Sequence, residues 1–338
     1  MKNPSTKAAQ KAEKPAFQPV TITRDGISYT FCHATTAAKA EKVAAILNKP
    51  TEERTPADIA TLVNALWIVH HHDGETESKL AGLDSISTSA IYNKFCAARI
   101  AKSDYVCARC YAVAQQKQYS SLNEHNTING WILKEYLIPV EYLDLIPVST
   151  IYARIESFGD VETVTQAKNY LHIIKAKART SWGVWTKNPT IWAAAIREEG
   201  KPDNAVFVIS SPRIDKETSL NLYPEFFDHV FTVYSKGAIK AGKEINCPKK
   251  CRDCLQCYRP AGNGNPARIA ERLKEDSTVI YQVDYTDPIT GATSHIDVIT
   301  AQAGYTVADY VRDCTTNADP DCIQMLTAGH VTLITPEN

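Results

Sequence analysis

The chain has 338 residues, 44% of them hydrophobic and 22% charged, which is enough for one large globular domain or two ordinary ones. Its formal net charge of −1 argues against a general nucleic-acid coat or an acidic-membrane binder, while leaving room for a local basic groove. No stretch has the roughly 18–20 consecutive apolar residues of a membrane helix.

Residues 1–18 are polar and lysine-rich and read as a flexible arm, not a signal peptide. Residues 19–32 predict a hairpin, because alternating apolar positions flank Asp25-Gly26. Two helices are expected next, from Thr36 to Leu47 and from Pro56 to about Val69, with Ile59, Leu62, Leu66 and Val69 on one face. His70-His71-His72 then read as a solvated helix end.

From Ile151 the pattern alternates. Strands are expected at Ile151 to Ser157, Trp182 to Thr186, Ala205 to Ser210 and His229 to Tyr234. Helices are expected at Thr163 to Arg179 and Thr190 to Glu199. Such alternation implies parallel pairing with crossovers, hence an α/β fold: an open sheet, or a (β/α) barrel-like or partial-barrel parallel sheet, over residues 19–262. Reactive groups in these folds gather at the C-terminal ends of the strands. After the break at Gly262 to Asn265, residues 266–275 read as a basic, helix-like segment. Residues 278–338 read as a small α+β unit, with strands at Val279 to Tyr285, Ser294 to Thr300 and Val331 to Ile334 and a helix near Val307 to Cys314.

The chemistry is concentrated in cysteines. Seven of ten fall in two windows: Cys96-x10-Cys107-x2-Cys110, and Cys247-x3-Cys251-x2-Cys254-x2-Cys257. Two residues between thiolates form a tight loop that turns both sulfurs onto one ion or cluster edge. With no secretion signal the expected setting is a reducing cytoplasm, where such spacing signals metal and not disulfides. The late run reverses the bacterial ferredoxin spacing, which favours a [4Fe–4S] cluster. Zinc, which prefers two separated pairs, is the alternative. Three early ligands would leave one coordination position open. Cys32, Cys314 and Cys322 read as inert thiols.

Around the strand ends, Arg154 and Glu156 are expected on one side of their strand, as an internal ion pair or as groups that orient a ligand. Asp160 either caps the following helix or binds a ligand, and Lys187 either meets an anion or is solvated. Nothing accompanies Ser210, Ser211 or Ser235 to make a hydrolytic triad, and no phosphate-binding glycine loop is present.

The early Cys…Cys-x2-Cys-Tyr-Ala segment ending at Ala112, the strand-turn from Arg154 to Asp160, Thr186-Lys187-Asn188 and the late cysteines resemble, in that order, the gene-product-88 domain family of phage and mobile elements. The resemblance covers roughly residues 80–260 and implies architecture and site more than reaction. The early cluster is also similar to expanded motifs in radical S-adenosylmethionine enzymes. That resemblance implies a cluster held by Cys96, Cys107 and Cys110 with S-adenosylmethionine on its open iron, and Tyr111 beside the cofactor. The strand-turn residues Ser157, Gly159 and Asp160 would contact the cofactor, and Arg154, Glu156 and Lys187 would orient substrate. The spacing differs from that superfamily's usual early Cys-x3-Cys-x2-Cys. The late four-cysteine site would then be auxiliary, and nucleic acid or a nucleotide the substrate. The competing expectation is a non-catalytic zinc protein that binds nucleic acid or a protein through residues 266–275.

Overall fold

A computed structural model describes residues 18–71, 80–222, 225–247 and 251–273, together with the backbone of strands at 279–286, 293–300 and 331–334. The arm, apart from Gln18, lies outside the described residues, as do His72, Cys314, Cys322 and the helix expected near 307–314.

The hairpin forms as expected: β1 (Val20–Arg24) pairs antiparallel with β2 (Ile27–Phe31) in the register Arg24↔Ile27. Asp25 and Gly26 both have positive φ (49° and 74°), the two-residue turn that matches strand twist. Its inward residues Tyr29 and Phe31 pack on Trp131, with ring centroids 5.0 and 5.6 Å away. Helix α1 (Ala34–Leu47) follows, then α2 (Pro56–Ala65), started by Pro56 and by a capping box in which Thr55 and Asp58 satisfy one another's backbone N–H. The second helix stops earlier than expected. Its apolar period runs into β3 (Ile68–His70), so His70 ends a strand and not a helix, with its Nδ1 2.7 Å from Asp84 Oδ1.

Seven strands form the main sheet in chain order. β3 pairs antiparallel with β4 (Asp84–Ile86), and β4, β5 (Tyr152–Ile155), β6 (Ser181–Thr186), β7 (Ala205–Ser210), β8 (His229–Tyr234) and β9 (Arg268–Arg272) are parallel. Between them lie α3 (Lys94–Ile100), α4 (Tyr111–Gln118), α5 (Ser120–Glu135), α6 (Val164–Ala176), α7 (Pro189–Glu199), α8 (Lys236–Lys240) and a single turn, α9 (Cys251–Cys254). Because parallel crossovers share one hand, a strand order that never reverses sends the helices to one face. On that face Ala153, Ile155, Trp182, Val184, Phe207 and Ile209 join a continuous core with Ile132, Tyr170, Leu171, Trp192 and Ile196. Trp192 is wedged between Tyr170 (stacked, 6.0 Å) and Phe207 (edge-on, 5.3 Å). Helix ends inside this core are satisfied by buried amides. Asn169 Nδ2 donates to Leu133 O and Tyr136 O at the end of α5, and Asn204 Nδ2 to Ile174 O and Lys177 O at the end of α6.

The opposite face carries Tyr152, Arg154, Gly183, Trp185, Val206, Val208 and Phe231. It is covered by the late cysteine loop, through Leu255, Tyr258, Cys251 and Cys257. Residues 268–272, expected as a basic helix, are instead β9. Its three middle residues, Ile269, Ala270 and Glu271, are buried while Arg268 and Arg272 are exposed, and the sheet reaches past residue 262. Strands β10 (Val279–Thr286), β11 (Thr293–Thr300) and β12 (Val331–Ile334) form a separate three-stranded antiparallel sheet, as expected of the C-terminal unit. Among the described residues no helix is long and apolar enough to cross a membrane.

Candidate metal centres

The early cysteines sit over the C-terminal ends of β5 to β7. Asn93 caps α3 by accepting from the Cys96 N–H (2.8 Å), which puts Cys96 in the first helical turn, and its Nδ2 donates to Asp160 O (2.6 Å) beyond β5. Cys107 lies in a short 3₁₀ turn, Val106–Arg109, tied to the end of β7 by Val106 N–H to Pro212 O (2.8 Å). Cys110 is the N-cap of α4, and the next residue, Tyr111, donates its hydroxyl to Ser157 O (2.6 Å). A helix N-terminus favours a negative sulfur. Burial acts the other way, pushing the Cys96 and Cys107 thiols up. Asp160, Cys110, Glu156 and Cys107 add to the effect on Cys96, while Lys187 opposes it at Cys107.

The late cysteines lie lower, across the sheet face instead of over the strand ends. Asn246 and Cys247 both donate their N–H to Ala270 O on the edge strand β9 (3.2 and 3.0 Å). The chain then turns through α9 and a left-handed Leu255 (φ 52°), where Gln256 N–H points at Cys254 Sγ (3.5 Å). Tyr258 is clamped by Ser181 Oγ donating to its carbonyl (2.9 Å), near the start of β6. The Cys257 thiol is pushed up, first by burial and then by Cys251, Cys247 and Cys254, with Arg154 acting in the opposite sense. The only other cysteines that act on Cys96, Cys107 or Cys257 belong to that residue's own group. Among the described residues no three Cys, His, Asp or Glu side chains converge tightly enough to hold a single ion.

Arg154 joins the two levels. Its guanidinium lies 4.0 Å from the Trp185 ring centroid, and its Nε is buried without a partner. Burial works against its charge, but Tyr111, Tyr258, Cys251 and Cys257 outweigh that and hold it more firmly protonated than usual. Glu156 does not share its side. The strand ends at Ile155, and Glu156 takes a left-handed conformation (φ 55°) that swings the carboxyl into the helix-side core. There it accepts from Thr88 N–H (3.0 Å), Thr88 Oγ1 (2.9 Å), Gln166 Nε2 (2.9 Å) and Tyr170 Oη (2.8 Å). The alternation rule that pairs residues two apart fails where the extended backbone stops. A strained non-glycine conformation costs about 1–3 kcal/mol, and this four-donor cage fixes it in place.

Asp160 does not cap α6, since Thr163 does so by accepting from Gln166 N–H (3.1 Å). Its carboxylate instead accepts from Thr186 Oγ1 (2.6 Å), Lys187 N–H (2.7 Å) and Val161 N–H (2.9 Å), locking the β5 turn to the end of β6. Ser157 donates its N–H to Ser87 Oγ (3.0 Å), while its own Oγ is buried and unpartnered. Gly159 (φ 75°) has no room for a cofactor at its α-carbon. A Cβ there would lie 2.6 Å from Thr88 Oγ1 and 2.8 Å from Thr88 O. Gly159→Ala is therefore expected to lower stability by about 2–3 kcal/mol, read as a shift of the urea midpoint, because both the backbone strain and the clash fall on one residue.

Thr88, Asn93, Tyr258 and Trp185 belong to this site and were not singled out in the sequence. The Asn93-x2-Cys96 spacing, an N-cap before the first cysteine, was a readable signal; the others carried none. A groove of about 410 Å³ opens between the hairpin, α3 and α5, lined by Tyr92, Phe95, Trp131 and Lys134 among others, and lies beside the early cysteines without including them. Set against protein-family models, curated proteins and solved structures, the chain matches none.

Proposed function

We propose that this is an iron–sulfur protein of the gene-product-88 type, with its parallel sheet serving as a partial (β/α) barrel and its early site resembling that of radical S-adenosylmethionine enzymes. Cys96, Cys107 and Cys110 would hold the reactive cluster, and Cys247, Cys251, Cys254 and Cys257 an auxiliary one. The observation that carries this reading is Arg154, a cation with a buried, unpartnered Nε set between the late thiols and the tyrosine beside the early ones. Neutral thiols give such a cation nothing to offset, whereas thiolates bound to metal do. The donor chemistry fits: Cys96 and Cys110 at helix N-termini and Cys107 in a short turn with Lys187 near it, and four sulfurs in one loop, where the Gln256 N–H points at Cys254 Sγ.

A cluster with an open iron supplies one-electron chemistry to a molecule bound upon it. The chain's own residues position and enclose it. Tyr111, held by Ser157 O, anchors α4 over β5. Asp160 locks the β5 and β6 ends together, and Lys187 offsets negative charge at Cys107. Glu156 is part of the frame and not a group in contact with substrate.

Anaerobic purification followed by absorbance and metal analysis tests the reading. Brown protein absorbing near about 400 nm with iron and sulfide is expected. Replacing Cys107 and Cys110 with alanine together should remove about half of that iron, and replacing Cys254 and Cys257 the other half. Colourless protein with stoichiometric zinc would overturn it in favour of structural zinc sites. If iron is present, an unchanged electron paramagnetic resonance spectrum on adding S-adenosylmethionine would remove that cofactor from the account.

A further inference from the structure

The surface around the early site alternates cations with aromatic rings. Tyr105, in the loop that carries Cys107, lies between Lys102 (Nζ 5.0 Å from its centroid) and Arg213 (Cζ 5.7 Å). Arg213 belongs to the loop after β7. That loop carries exposed Lys216 and is fastened to the end of β8 by Asp215 N–H to Val233 O (3.0 Å) and by Asp215 accepting from Ser235 N–H and Oγ (2.6 and 2.7 Å). Ser235 in turn caps α8, which ends on exposed Lys240. Lys187 stands at the end of β6. Tyr111, 48% exposed, presents its ring at the end of β5 with the hydroxyl tied down.

The acids of this face are mostly engaged: Asp104 pairs with Arg213, Glu217 with Arg268, Asp215 holds Ser235, and Asp160 is buried. Arg213 and Arg268 are neutralised in those pairs, so the positive charge where the strands end comes from Lys102, Lys187, Lys216 and Lys240, in a chain of net charge −1.

We infer that this face binds single-stranded nucleic acid, its phosphates running past Lys102, Arg213, Lys216 and Lys240 while unpaired bases stack on Tyr111 and Tyr105. Flat rings fixed among cations suit exposed base faces, which a duplex keeps covered. A lipid headgroup or an acidic peptide would use the cations and leave the rings idle. The inference names the substrate class of the site proposed above; it rests on where that site lies and not on which metal it holds.

The test is fluorescence anisotropy of the full-length protein, its iron content recorded, with a labelled mixed-sequence single strand of about 16 nucleotides, in DNA and RNA forms. The same strand annealed as a duplex, heparin, and vesicles with anionic lipid are the competitors. Binding should favour the single strand over the duplex at least tenfold. The triple reversal Lys102→Glu, Lys216→Glu, Lys240→Glu should weaken it tenfold or more and flatten its salt dependence by about 0.7 per lost phosphate contact. Tyr111→Ala, assayed below its own melting transition, should weaken it about fivefold or more, while Tyr111→Phe, which keeps the ring and loses only the bond to Ser157 O, should not. No binding, equal binding of duplex or heparin, binding to vesicles in place of the strand, or indifference to both sets of substitutions would each overturn it. Iron-free protein that still selects the single strand sinks only the iron–sulfur reading. Iron-replete protein that ignores the strand sinks only this one.

Discussion

Arg154→Leu is expected to strip metal from the late site while leaving the metal-free protein as stable as before, or more so. The guanidinium lies over Trp185 with Tyr258, Cys251 and Cys257 as its neighbours, and its Nε has no hydrogen-bond partner. In the metal-free protein the buried Cys257 thiol keeps its proton, so the guanidinium held against Trp185 has no thiolate there to meet it. Leucine in that place packs on Trp185 and Val206 and removes the penalty, a change worth about 0–4 kcal/mol in favour of the fold. With metal bound, the four thiolates carry excess negative charge, and losing their buried counter-ion should cost about 3–5 kcal/mol. That corresponds to a loss of affinity of roughly 10²–10³. Metal retention against a graded chelator, read beside the melting temperatures of metal-free and loaded protein, separates the two effects. Arg154→Lys, which keeps the charge but not the planar fork, should fall between. Equal retention by all three proteins would remove Arg154 as the counter-ion.

Stability should also fall as the pH is raised from mildly acidic to mildly alkaline, and Glu156 should be the main cause. Burial pushes its carboxyl up to about 8 from an ordinary 4.5, against the pull of hydrogen bonds from Tyr170 and Thr88. The folded protein therefore keeps a proton that the unfolded chain releases near 4.5. Through the window between those values the native state binds more protons, so each step up in pH favours unfolding. The stabilisation is complete below about 4.5 and gone above about 8, with a total on the order of 4–5 kcal/mol. Asp160 is raised by burial too and contributes in the same direction, whereas His125, lowered by burial to about 4, acts the opposite way below about 6.5, so the net fall is steepest between about 6.5 and 8. Urea midpoints measured from about pH 5 to pH 9 should show this slope, and Glu156→Gln should remove most of it. Glutamine keeps one oxygen to accept from Tyr170 and the Thr88 hydroxyl but turns its amide toward the Thr88 N–H, so near pH 5 its stability should lie about 1–3 kcal/mol below the parent. A slope that survives in Glu156→Gln would mean the titrating group is elsewhere.

Much of the fold was legible because its signals are local. The Asp25-Gly26 turn, the apolar steps of α6 and α7, and the apolar runs of β7 and β8 act within a few residues of one another. Their elements appear where the pattern puts them. β4 was not legible: Asp84 and Ser85 are polar yet almost fully buried, which works only because Ser149, Thr150 and His70, distant in the chain, hydrogen-bond to Asp84. β9 was misread because RIAER holds only two apolar residues, and its pairing with β8 is a fact of tertiary contact. Glu156 was paired wrongly with Arg154 because one left-handed residue at a strand end reverses the side a chain presents, and sequence shows no glycine there to announce it.

The sequence by itself determined how many cysteines each loop offers, at what spacing, and that parallel strands would follow one another, since spacing and periodicity are properties of a short stretch of chain. Only the tertiary structure decided that the early cysteines cap the strand ends while the late ones lie across the sheet face, and that a lone guanidinium stands between them. Those outcomes depend on which distant surfaces must be buried together, and on the partners that each buried charge finds once they are.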